Sequence, residues 1–302
     1  MELSLHKEPL SLENAEEAKG SLCASVLVSP VKRDLIEKLY GCGVRYLSTR
    51  SIGYDHIDLK AAKECGMHAG NVSYTPDSVA DYAVMLILMA VRKVKSIFLK
   101  SAAQDFSLSG LQGSILRNKT VGVAGTGRIG RAVIRRLAAF GCRILAYDLY
   151  ENDEVRKQAR YVPSAQLLSE SDILTLHMPA TKENFHFIGR DALSRMKNGV
   201  ILVNTARGTL IDSLALAEAL ESGKVGGAAL DVMENETGIY YHNHEGEALS
   251  NRGLALLRSY PNVIVTPHTA FYTDQSVSDM VENSIRSCVL YSEGKKNPWQ
   301  IV

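Results

Sequence analysis

The run Thr120-Val-Gly-Val-Ala-Gly-Thr-Gly-Arg-Ile-Gly130 constrains this chain more than any other stretch. It reads as a short apolar strand, a turn with glycines at 125, 127 and 130, and then a helix. A glycine-rich turn between strand and helix suits the pyrophosphate of a dinucleotide. Gly125 permits the tight turn, Gly127 lets the backbone approach the phosphates, and Gly130 lets the helix pack close to the strand. The helix N-terminus offers unpaired N–H groups and partial positive charge to an anion.

From Thr120 onward the pattern alternates strand and helix. The spacing predicts strands at 120–125, 143–148, 161–162, 172–177, 200–205, 227–232 and 262–267, with helices between most of them, including 129–140 and 212–222. Such alternation implies a doubly wound parallel sheet with right-handed crossovers, a Rossmann α/β domain. Ahead of it, residues 1–74 read as a smaller α/β unit. Its expected strands are 25–29, 44–48 and 68–71, and its expected helices follow Pro30 and Asp58. Pro76 opens a helix expected to reach about residue 100, apolar nearly all round and so buried on several sides. The tail after Thr273 reads as one more helix that returns to the first domain. The expected domains are therefore 1–74 with 273–302, and 75–272.

Composition narrows the partners. The net charge is +1 over 302 residues, which gives no reason to expect nucleic acid or an anionic membrane. The apolar run Tyr82–Val91 is too short to span a bilayer, which takes about 20 residues. The start is polar, without an apolar leader. Five scattered cysteines form no Cys-x-x-Cys pair, so no zinc site is suggested and a reducing, cytoplasmic setting is expected. Tyr240-Tyr-His-Asn-His-Glu245 holds a His-x-His pair beside a carboxylate. It is open to reading as a metal site or, as expected here, as a loop without metal.

The second strand of the larger domain ends in Asp148, 18 residues past Gly130. A carboxylate there can bind the ribose hydroxyls of NAD and repel the extra phosphate of NADP. The plainer reading is a turn residue. Three later strands end in polar residues: Asn204-Thr-Ala-Arg-Gly208, Asp231-Val-Met-Glu-Asn-Glu236 and Thr266-Pro-His268. Ligands bind beyond the carboxyl ends of parallel strands. Arg207, Glu236 and His268 could therefore meet over one site. Arginine grips a carboxylate with two prongs, histidine exchanges a proton near neutral pH, and glutamate orients the imidazole. Together they suit hydride transfer on a 2-keto acid.

With Ser48-Thr-Arg-Ser-Ile-Gly-Tyr-Asp-His-Ile-Asp58, Asn71-Val-Ser-Tyr-Thr-Pro-Asp-Ser-Val-Ala-Asp81 and Thr266-Pro-His-Thr-Ala-Phe-Tyr272, these stretches carry a resemblance. The chain resembles the D-isomer-specific 2-hydroxyacid dehydrogenases, within them the D-lactate dehydrogenases including the vancomycin-resistance type, from about residue 20 to 290. The resemblance implies that Arg207 binds substrate, Glu236 supports and His268 donates the proton. It puts cofactor contacts at Gly125, Gly127, Arg128, Ile129, Gly130, Asp148, Met178, Pro179, Asn184, Thr205, Ala206 and Asp231. It puts substrate contacts at the backbone of Ile52 and Gly53 and at Tyr74, Arg207 and Phe271. It implies a homodimer contacting near the helix after Pro76.

The same resemblance makes the smaller domain flavodoxin-like and implies one more strand and helix at its start. Leu3-Ser-Leu5 would then lie near the second strand, and the sheet would lack an interior member. The activity implied is NAD-dependent reduction of pyruvate to D-lactate. Bulkier 2-keto acids, such as 2-ketoisocaproate or phenylpyruvate, are the alternative. A non-catalytic NAD-binding interaction protein is the alternative from another class.

Overall fold

The structure, a computed structural model, describes residues 2–302. It divides into two compact units: the residues up to Thr75 together with Tyr272–Val302, and Pro76–Phe271.

The first unit carries β1 (Cys23–Val26), α1 (Arg33–Gly41), β2 (Tyr46–Thr49), α2 (Leu59–Cys65) and β3 (His68–Gly70). The strands pair in parallel in the order β1-β2-β3. Asp58 caps α2 by accepting from the Ala61 N–H at 2.9 Å, and Gly66 closes it in the left-handed region. One expectation is corrected here: Leu3 and Leu5 lie outside any strand and are exposed. The sheet has three strands, with β2 between β1 and β3.

The second unit begins with α3 (Asp77–Val91) and α4 (Val94–Ala102). The single helix expected to about residue 100 is thus two. Lys93 takes a left-handed φ of 54°, and Ser114 donates to the freed Val91 carbonyl at 3.1 Å. Then come β4 (Thr120–Ala124), α5 (Arg128–Ala138), β5 (Arg143–Tyr147), α6 (Asp153–Arg156), β6 (Arg160–Tyr161), α7 (Ser164–Glu170), β7 (Ile173–Leu176), α8 (Arg190–Arg195), β8 (Val200–Asn204), α9 (Ser213–Glu221), β9 (Val225–Leu230), α10 (Arg252–Ser259) and β10 (Val263–Val265). All seven strands are parallel, in the order β10-β9-β8-β7-β4-β5-β6. The chain reverses direction across the sheet between β4 and β7, a topological switch point.

A parallel sheet covered on both faces needs apolar residues on both. Leu174, Leu202, Ala228 and Leu230 join one buried cluster, while Val121, Val123, Ile173 and Val203 join the cluster on the other side with α3 and α5. On α3, Val79, Ala83, Leu86 and Ile87 are buried, but Met85 is 39% exposed. The helix is not buried all round within this chain.

α11 (Asp274–Ser292) belongs to the first unit and lies on its sheet through small polar side chains. Ser284 pairs with Ser25 at 2.8 Å and Ser48 at 2.9 Å, and Ser287 with the Tyr46 hydroxyl at 2.6 Å. Gly70 has to be glycine: a Cβ there would sit 2.0 Å from the Tyr46 hydroxyl.

Candidate active site

The glycine turn joins β4 to α5. Gly125 has φ 94°, and a Cβ on it would strike the His177 and Met178 backbone at 2.6–2.7 Å. A Cβ on Gly130 would lie 1.9 Å from the Gly125 carbonyl, so the helix approaches the turn at van der Waals contact. A Cβ on Gly127 would meet nothing within 4 Å. Gly127 is also the N-cap of α5, and no side chain caps the helix. A helix N-terminus without a side-chain cap, next to a glycine with room around it, suits a pyrophosphate.

Asp148 stands just past β5 and is tied to the turn. Its Oδ2 accepts from the Thr126 N–H at 2.5 Å and the Thr126 hydroxyl at 3.0 Å, and its Oδ1 accepts from the Tyr150 N–H at 3.1 Å. The Tyr161 hydroxyl donates in turn to Thr126 at 2.8 Å. Both sequence readings of Asp148 therefore have a physical basis. It shapes the turn, and a carboxylate with lone pairs left over stands in fixed orientation at the strand end.

The other expected cofactor contacts lie on loops at the same sheet end. Arg128 and Ile129 open α5, the former exposed and the latter half-buried. Met178 and Pro179 follow β7. The Asn184 side chain spans its loop, donating to the Pro179 carbonyl and accepting from the Thr181 N–H, both at 2.7 Å. Thr205 is buried, and its hydroxyl has no hydrogen-bond partner within the protein. An orphaned buried hydroxyl beside Ala206, at the strand end, fits a bound polar group. These residues fit a dinucleotide.

Asp231 is fully buried. It organises the loop after β10. Oδ1 accepts from the Thr266 hydroxyl at 2.6 Å and the Thr269 N–H at 2.9 Å, and Oδ2 from the Ala270 N–H at 2.9 Å. Its carbonyl accepts the His268 N–H at 2.7 Å. These bonds hold His268 in the left-handed region, at φ 53°.

That loop brings His268 to Glu236. Nδ1 of the imidazole lies 2.6 Å from Oε1, and the carboxylate's other oxygen accepts from the Met233 N–H at 2.7 Å. Both side chains are about three-quarters covered, at 26% and 23% exposure. The Tyr241 and Phe271 rings lie 6.4 and 6.2 Å from the imidazole. Tyr240 is buried against this site. Burial and the charges of Glu236 and Asp231 push its phenol well above the ordinary range, so it stays neutral.

Arg207 follows β8 on a turn built by Asn204. That buried amide donates to the Arg207 carbonyl at 2.9 Å and accepts from the Ala206 N–H at 3.0 Å. Gly208 then packs against the loop that leads to Glu236. A Cβ on Gly208 would lie 2.1 Å from the Met233 carbonyl carbon and 2.5 Å from the Glu234 nitrogen. The strand ends bearing Arg207 and Glu236 are thereby in backbone contact.

His177, at the end of β7, bonds Thr175 at 2.9 Å, and its Nδ1 is buried without a partner. Burial lowers its pKa to about 3, so the ring is neutral. In the His242–His244 loop, His244 bonds Glu247 at 2.9 Å. Among the described residues no group of three or more His, Cys, Asp or Glu could hold a metal ion.

Within the first unit, the turn at Ile52 and Gly53 is pinned by two hydrogen bonds. Asn71 donates to the Ile52 carbonyl at 2.8 Å and Ser51 to the Gly53 carbonyl at 2.6 Å. Tyr74 is half-buried there.

Sequence reasoning missed a second histidine–carboxylate cluster, made by His186, Glu234 and Ser213. The only signal for it was Asp212-Ser213, a helix N-terminal pair. It missed equally the parts of Asn204 and Asp231 in shaping the two loops.

Comparison with known proteins agrees with this geometry. Residues 84–270 match the family described as D-isomer specific 2-hydroxyacid dehydrogenase, NAD binding domain. A D-specific alpha-keto acid dehydrogenase of Enterococcus faecium is 48% identical over 281 residues, 93% of this chain and 86% of that protein. An aromatic 2-oxoacid reductase of Clostridium sporogenes is 44% identical, covering 89% of this chain and 82% of that one. The crystal structure of a D-lactate dehydrogenase from Treponema pallidum superposes with a TM-score of 0.88 at 35% identity, over 98% of this chain and 90% of that chain. The glycine turn, the strand-end loops and these likenesses agree: the chain belongs to the D-isomer-specific 2-hydroxyacid dehydrogenases, NAD-dependent oxidoreductases.

Proposed function

We propose that this enzyme reduces pyruvate to D-lactate with NADH, and that Arg207, Glu236 and His268 carry the chemistry. The observation that supports this most is the 2.6 Å pair between His268 and Glu236 in a loop held by Asp231. Glu236 accepts from Nδ1, which leaves Nε2 as the nitrogen that exchanges a proton. In reduction, protonated His268 gives that proton to the keto oxygen. The guanidinium of Arg207 holds the substrate carboxylate with two parallel N–H donors, fixing the keto carbon in one orientation. Bound NADH supplies the hydride that the keto carbon accepts.

On this reading the α5 N-terminus, with Gly125, Gly127 and Gly130, takes the pyrophosphate. Asp148 takes the ribose hydroxyls and disfavours NADP. Arg128, Ile129, Met178, Pro179, Asn184, Thr205, Ala206 and Asp231 are the remaining cofactor contacts. Residues 75–272 serve as the NAD-binding domain, and 1–74 with 273–302 serve as the substrate domain. Five free cysteines suit a cytoplasmic enzyme.

A second reading, a bulkier 2-keto acid, is favoured by the aromatic rings of Phe271 and Tyr241 near His268. Turnover of pyruvate, 2-ketoisocaproate and phenylpyruvate with NADH and NADPH decides between them. The first reading expects the highest kcat/KM for pyruvate with NADH. A higher value for phenylpyruvate would replace it with the second.

The same reading makes the enzyme a homodimer. Met85, Ile97, Phe98 and Phe140 expose apolar surface on and beside α3 and α4, more than isolated surface residues account for. Sedimentation at micromolar concentration is expected to give twice the chain mass. A monomer would refute this assembly.

A further inference from the structure

Glu234 and Glu236, two residues apart, each hold a histidine. Glu236 holds His268. Glu234 holds His186, with Nε2 to Oε1 at 2.6 Å. The second oxygen of Glu234 sits on the N-terminus of α9, accepting from the Ser213 N–H at 2.8 Å and the Ser213 hydroxyl at 2.6 Å. A carboxylate at a helix N-terminus is favoured by the helix dipole as well as by those bonds. The Glu234 backbone is fixed too, since Asn251 donates to its carbonyl at 2.6 Å.

His186 itself is set firmly. It is a non-glycine residue in the left-handed region, at φ 53°. Its N–H donates to the Thr209 carbonyl at 2.9 Å, and Asp212 lies 3.7 Å from its Nδ1. The loop between these glutamates has freedom that must be removed. Asn235 is also left-handed, at φ 54°, and exposed. Glu236 can point at His268 only if the residues before it are held.

We propose that His186 is a positioning residue for catalysis: its pair with Glu234 anchors the Met233–Glu236 loop and so fixes the aim of Glu236 at His268. This rests on the reading of His268 as proton donor. The charged and titratable groups around the two histidines include Asp212 and Glu234 at His186, and Asp231, Glu236, Tyr240 and Tyr241 at His268.

The test is kcat and KM for keto-acid reduction in His186→Leu and His186→Gln, with NADH affinity measured by fluorescence. Loosening Glu236 leaves the His268 ring less firmly aimed. In His186→Leu kcat is expected to fall on the order of tenfold, with the KM for the keto acid within about twofold of the parent. NADH affinity should stay within about twofold of the parent, against the tenfold that 1.4 kcal/mol would give. His186→Gln keeps a donor within reach of Glu234 and should restore the parental kcat. An unmoved kcat in His186→Leu with NADH binding intact would overturn the proposal. If His186→Leu does not bind NADH, Ser213→Ala carries the test, with a smaller fall in kcat expected and an unchanged kcat overturning it. Failure of the underlying reading is separate: it would show as undiminished turnover in His268→Gln.

Discussion

The Oε1 atom of Glu236 lies 2.6 Å from Nδ1 of His268, and both side chains are about three-quarters covered. A partly desolvated carboxylate at that distance fixes the ring's orientation and commits Nδ1 as its donor. Glu236→Gln keeps the shape and removes the charge. We expect kcat for reduction to be lowered roughly tenfold or more, with NADH affinity little changed. Steady-state kinetics with a separate NADH titration measures both.

Arg207→Lys retains the positive charge and loses the planar fork. A point charge cannot reproduce a two-pronged grip on a carboxylate. The KM for the keto acid should rise on the order of tenfold or more, equivalent to at least about 1.4 kcal/mol. NADH binding should be unaffected. Steady-state kinetics with separate NADH titration checks the split.

Asp148→Ser removes a charge that would repel the extra phosphate of NADPH. The ratio of kcat/KM for NADH over NADPH should fall roughly tenfold or more. Because Asp148 also holds Thr126 through its N–H and hydroxyl, affinity for NADH should drop as well. A nicotinamide absorbance assay with both cofactors gives the ratio. An unmoved ratio would leave Asp148 with its turn-shaping part alone.

His177 links stability to pH. Burial lowers its folded pKa to about 3, whereas an unfolded histidine titrates near 6.5. Below about 6.5 the unfolded chain gains a proton that the folded chain refuses. The stability from a neutral His177 is therefore full above pH 6.5 and is lost as pH falls toward 3, by up to about 1.4 kcal/mol per unit. Urea denaturation at pH 7 and pH 5 should show a smaller loss in His177→Asn than in the parent.

The larger sheet was legible in the sequence because its strands are short apolar runs buried on both faces, separated by helical periods and punctuated by glycines such as Gly125 and Gly141. Seven expected strands appear within about two residues of their observed ends. The break between α3 and α4 was not legible. Lys93 adopts a left-handed conformation that its side chain does not favour, and the partner that rewards the break is Ser114, which is remote in sequence. The site divides in the same way. His268 and Glu236 could be picked out by chemistry and strand-end position. The hidden part is what holds them: Asp231 reaches forward to Thr269 and Ala270, and His186 reaches Glu234 across 48 residues. Such contacts have no periodicity, and only the folded chain brings them together.

The central claim is that His268 passes the proton while NADH delivers the hydride. The direct measurement is His268→Gln, assayed for NADH oxidation with pyruvate, with product chirality determined and NADH affinity titrated independently. We predict at least a hundredfold loss of kcat, D-lactate as the parent's product, and NADH affinity within about twofold of the parent, well short of the tenfold that 1.4 kcal/mol would give. A variant that turns over pyruvate at the parental rate, or that loses NADH binding in proportion to its activity, would contradict the account.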